Sequence, residues 1–188
     1  MNGDAVKLTV TTHKVSGYRA TLRTAQQLAD QAGRLVERSV PGRMPNVQIT
    51  LTTARGLAEL ATTADAELAG QTDRRVLARA ERDARKVARD VAGRAIPIAD
   101  GSVLVLVNID QHRTPDDFAT TLVHELVHAM QFSRRGVRER IVRDLRDAFG
   151  VEPQSRRQSR EHMRLLGAEE NEAYGREYLA QQLITAAA

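Results

Sequence analysis

The run TPDDFATTLVHELVHAMQF, residues 114–132, constrains the fold more than any other part of the chain. Thr114 is a good helix N-cap, Pro115 suits the first helical position, and Asp116 and Asp117 suit the positive end of a helix. Thr114 and Asp117 have the spacing of a capping box, with Asp standing in place of Glu. Phe118, Leu122, Val123, Leu126, Val127 and Met130 supply a buried face, and Arg134, Arg135 and Gly136 mark the end. Just upstream, SVLVLVNI (102–109) is apolar enough to be a well-buried strand. Yet this helix carries His124, Glu125 and His128 in its middle, in a chain with only 5 histidines. Imidazoles and a carboxylate left without partners in such a setting would cost several kcal/mol, so the three side chains need a reason to be there.

The other segments fix the class. VKLTVTT (6–12) and VQITLTT (47–53) alternate as strands do. Between them an amphipathic helix holds Leu22, Leu28, Leu35 and Val36, and the turn PGRMPN ends it. Two helical stretches follow, one over 54–68 and one over 72–93 with Thr72 as its cap. The second has a narrow apolar stripe of Val76, Leu77, Ala80, Ala84, Val87 and Val91, so it should lie on the surface. PIADG reads as a turn. Beyond the histidine helix come a basic helix (137–150), a loop (151–158), and one long helix over 159–184 before a fraying TAAA tail. Strands come early and long helices late, with no repeat or linker. The pattern predicts a single α+β domain over 1–188, with a small sheet and surface helices in 1–110 and the histidine helix and C-terminal helices in 111–188.

Composition narrows the chemistry. Cysteine is absent, which removes disulfides, thiolate metal sites and a Cys nucleophile. Aromatics are only 3 %, so the core must be built from Leu, Val, Ile and Ala, and base-stacking platforms are scarce. The net charge is +4, but acids are interleaved with the arginines almost everywhere, as on solvated helix faces. A nucleic-acid surface needs a one-sided patch, and the nearest approach is Arg134 to Arg164. The longest apolar run, VLVLV, is too short for a bilayer, and no signal peptide is legible, so a cytoplasmic, membrane-free protein is expected.

On a helix, His124 and His128 lie about 40° apart around the axis and one turn apart along it, so both rings can reach one metal ion. Glu125 is rotated about 60° from His128, too far to join them as a ligand but near enough to touch a water on that metal. This is the physical content of HExxH, two zinc ligands and one general base. HELVHAMQ, preceded by an apolar strand and followed by a glutamate-rich helix, resembles the zincin metallopeptidases. It is most similar to the gluzincins, of which thermolysin is the familiar member. The resemblance covers residues 102–178. The metzincins need a third histidine six residues after the second, where this chain has Arg134.

The resemblance implies a Zn2+ cofactor, a peptide or protein substrate, and a third ligand from a glutamate on a downstream helix. Gluzincins often place that glutamate three residues before an alanine, and ENEA offers Glu170 with Ala173. Glu177 in EYLA is a weaker copy, while a helical wheel puts Glu169 and Glu172 nearer the apolar face. All four stay open here, with Glu170 preferred; nothing in the spacing supports His162. Many relatives also carry an Asp four residues after the ligand glutamate to orient a zinc-bound histidine, and Tyr174 holds that place here. Tyr174, Tyr178 and His162 are candidate oxyanion donors with ready structural roles, and Arg176 is most simply a solvated charge. The implied function is a zinc endopeptidase with Glu125 as base. The alternative is a non-catalytic or regulatory protein on the same scaffold, acting on a transcriptional regulator or binding DNA.

Overall fold

The computed structural model describes residues 6–15 and 19–185. The start expected for the first helix (17–18) and the TAAA tail past residue 185 lie outside the described residues. Four strands form one mixed sheet: β1 (Leu8–Thr12), β2 (Val47–Thr52), β3 (Gly93–Pro97) and β4 (Val103–Asn108), in the order β1-β2-β4-β3. The first three in that order run parallel, and β3 pairs antiparallel with β4 at one edge. Helix α1 (Arg19–Ser39) makes the crossover between β1 and β2 that parallel neighbours require.

The sheet separates two apolar layers. Val47, Ile49 and Leu51 of β2 and Val103, Val105 and Val107 of β4 face α1 and the histidine helix α4 (Pro115–Phe132). On the opposite face Leu106 and Ile96 meet Leu57, Ala58 and Ala61 of α2 (Ala54–Ala69). Strand β4 is therefore apolar on both sides, which is why VLVLV is continuous rather than alternating. Helix α3 (Arg74–Val87) packs outside α2 with no fully buried residue, as its narrow stripe predicts.

Helix α4 forms as its sequence dictates. The Thr114 side chain accepts from the Asp117 N–H while the Asp117 carboxylate accepts from the Thr114 N–H, and Pro115 opens the helix. Leu122, Val123, Leu126, Val127 and Met130 are wholly buried; Phe118 is half-buried. The helix ends at Phe132 with Ser133 as its cap, and Gly136, at φ 81°, turns the chain into α5 (Val137–Ala148).

Three local expectations are corrected. Residues 93–97 are a strand, where the sequence pattern runs the helix to Gly93, opens a turn at Pro97 and assigns nothing between them. Its terminal glycine and proline hid it, but an edge strand tolerates both. The α3 cap is Asp73 rather than Thr72, since the Asp73 carboxylate accepts from the Arg75 and Val76 N–H groups. The last long helix is broken. Helix α6 (Arg156–Tyr174) starts earlier, at a Ser155–Gln158 capping box, and stops at Gly175. A single 3-10 turn (Glu177–Leu179) and the short α7 (Ala180–Thr185) follow.

Candidate metal centre

Helix α4 lies under the sheet edge, α6 crosses it, and a cleft of about 620 Å³ opens between them, walled by residues 91–97 of the β3 edge. His124 and His128 project into this cleft from successive turns of α4, with Nε2 atoms 3.1 Å apart. Glu170 descends from α6. Its two carboxylate oxygens stand 3.5 Å from His124 Nε2 and 3.4 Å from His128 Nε2. Zinc ligands at ~2.0–2.1 Å in a tetrahedron stand about 3.3 Å from one another, and each imidazole nitrogen has a Glu170 oxygen at a comparable distance, though not the same oxygen.

The proton arrangement supports the same reading. His124 Nδ1 donates to Glu177 Oε1 at 2.9 Å, because a carboxylate there can only accept. His128 Nδ1 donates to Gln131 Oε1 at 2.8 Å, since the Gln131 amide nitrogen is committed to Glu169 O and Glu172 Oε2. With both rings neutral, the two Nε2 atoms then present lone pairs to each other and to the Glu170 carboxylate. Such a group of acceptors has no donor among its own members and suits one cation. Burial also lowers the pKa of His128, which favours the neutral ring that ligates metal.

Of the four candidate glutamates, the geometry selects one for this group and gives each of the others a partner. The wheel correctly turned Glu169 and Glu172 inward: their side chains are 15 % and 25 % exposed against 40 % for Glu170. Each is neutralised there by an arginine, Glu169 by Arg140 and Glu172 by a two-bond clamp from Arg134. The arginine holds the Glu172 carboxyl below its ordinary pKa. Inwardness thus marked ion pairs, while the free carboxylate sits at the edge of the apolar face.

Glu177 takes the orienting role that its sequence position hid. On an unbroken helix it would sit two turns, about 10 Å, beyond Glu170. The break at Gly175 and the 3-10 turn fold it back onto the far side of the His124 ring. Tyr174 makes no hydrogen bond to either histidine; its ring packs edge-on against His124, centroids 4.8 Å apart. His162 lines the same cleft but is not part of the converging His124–His128–Glu170 group. It is buried between Arg140, which donates to its Nδ1, and Asp144. Tyr178 is half-exposed, and Arg176 is close enough to help lower the pKa of Glu172. Gln131 and Arg134 went unassigned as partners of the site. The signal was an amide about one turn past the second histidine on the apolar part of the helix, and a cation just after the helix ends.

Glu125 is only 5 % exposed and its carboxyl is pushed up to about 8. Burial is the main cause and the Glu170 charge adds to it, while the Ala95 N–H and Arg94 pull the other way. Strand β3 must come very close for that contact. A Cβ on Gly93 would stand 2.6 Å from Thr121 Cγ2 and 2.9 Å from Glu125 Oε1, so only glycine fits. The missed strand is therefore part of the site.

No family model matches the chain, and neither the curated proteins nor the solved structures contain a match to it.

Proposed function

We propose that this chain is a zinc-dependent peptidase. One observation carries the reading: two imidazole lone pairs and a carboxylate converge at 3.1–3.5 Å, beside a buried glutamate, inside an open cleft. His124, His128 and Glu170 would hold the metal. A bound zinc ion would lower the pKa of a water toward neutrality and polarise a peptide carbonyl.

The chain's own residues do the rest. With a cation beside it to favour the ionised form, Glu125 would accept the water's proton and deliver it to the leaving amine, the Ala95 N–H steadying its carboxylate. Glu177 and Gln131 keep the two imidazoles in the Nδ1–H form. Residues 91–97, at an open sheet edge along the cleft, suit an extended peptide, whose backbone can pair with a strand edge. In the 134–164 run Arg134, Arg140, Arg146 and Arg164 each meet a glutamate, which reduces the free positive charge a DNA reading would use. Among the described residues no helix is long and apolar enough to cross a membrane.

Metal analysis of purified parent and Glu125→Gln proteins, with an unfolded protein as substrate, tests the proposal. About one zinc per chain is expected in both, and cleavage in the parent alone. Absence of zinc, or cleavage that survives the substitution, would refute it; zinc without cleavage in either protein would leave a structural metal.

A further inference from the structure

Gln131 follows the second histidine by three residues and is wholly buried on α4. A buried amide must place its polar atoms, and this one does so across two helices. Its nitrogen donates to Glu169 O at 2.9 Å and to Glu172 Oε2 at 3.0 Å, both on α6. Its oxygen accepts from His128 Nδ1 at 2.8 Å. The amide cannot be reversed. The oxygen would then face a carbonyl and a carboxylate, and both donors would lose their acceptors.

We propose that Gln131 is a positioning residue for the metal centre, setting the tautomer of His128 and holding α6 at the register that brings Glu170 to the imidazoles. The inference rests on the metal-binding reading above. One side chain touches both helices that carry ligands, and its two grips on α6 straddle Glu170 in sequence. The gripped residues are themselves fixed. Arg140 holds the Glu169 carboxylate, and Arg134 holds Glu172 while also donating to Pro41 O. If the amide were lost, His128 Nδ1–H would lose the acceptor it has here, and the proton could move to Nε2. The ring would then present a proton, not a lone pair, to the metal position. At the same time α6 would lose two of its bonds to the helix beneath it.

Two substitutions separate this role from mere filling of the core. Gln131→Met keeps length and volume but makes no hydrogen bond. Gln131→Glu keeps an acceptor for His128 and removes both donors to α6. Proton–nitrogen correlation spectra of the histidine rings, recorded metal-free at pH 8, read the tautomer directly. The parent and Gln131→Glu are expected to show Nδ1–H at His128, and Gln131→Met a mixture or the opposite form. Zinc affinity, measured by chelator competition, should fall about 10–100-fold in Gln131→Met, with a smaller loss in Gln131→Glu.

A parent His128 protonated on Nε2 overturns the proposal, and that spectrum needs no variant to fold. Gln131→Met with the parent's tautomer and zinc affinity overturns it too, and leaves the metal centre standing. A parent that binds no zinc overturns the metal centre itself, so the two failures are distinct.

Discussion

Replacing Glu125 by glutamine should change how stability depends on pH, and the direction follows from the site. In the folded, metal-free protein the carboxyl titrates at about 8, against an ordinary value of 4.5 when unfolded. Between those values the unfolded chain has released the proton and the native state still holds it. The native state binds more protons there, so stability falls as pH rises through the window and is level on either side. Each pH unit is worth about 1.4 kcal/mol, so the full window amounts to about 5 kcal/mol for a group this well buried. Glutamine keeps the Ala95 contact and has no proton to lose. Urea unfolding of chelator-treated parent and Glu125→Gln at pH 4.5 and pH 9 isolates the effect, because other titrating groups cancel in the difference. The variant should gain several kcal/mol on the parent between the two pH values. Zinc should shrink the gap, because a cation beside the carboxylate favours its ionised form. Parallel pH profiles for the two metal-free proteins would refute the burial argument.

Other substitutions read the supporting shell. Glu177→Gln should lower zinc affinity by about 10–100-fold, measured by chelator competition, because it weakens the acceptor on His124 Nδ1 without touching a ligand. An affinity equal to the parent's would remove Glu177 from the site. Gly93→Ala should destabilise the fold by about 1–3 kcal/mol in urea unfolding and slow cleavage, since its methyl would push β3 away from Thr121 and Glu125. A variant with unchanged stability would mean the strand edge has room that the geometry denies.

Much of the site was legible because a single helix encodes it. Thr114, Pro115 and Asp117 fix where α4 begins, and the apolar period fixes which way His124 and His128 face. These are local signals, and the structure follows them closely. Strand β3 was hidden because its signal is tertiary. Five residues that begin with a glycine and end with a proline carry little pattern, and Gly93 is explained only by the side chains of α4 beneath it. The choice among glutamates was hidden for a similar reason. A helical wheel reports which side chains turn inward, but not that Arg134 and Arg140 wait there to neutralise Glu172 and Glu169. Gly175 did carry usable information. A glycine after Tyr174 is a helix-stop signal, and heeding it would have detached Glu177 from the helix of Glu170.

The most direct test is where a metal sits. Crystals grown with zinc, with anomalous diffraction collected at the zinc edge, should show one strong peak about 2.0–2.1 Å from His124 Nε2, His128 Nε2 and a Glu170 oxygen. Glu177 should stay on His124 Nδ1, outside the metal's reach. No peak at that position, or a peak bound by Glu177 or Glu169 in place of Glu170, would contradict the account.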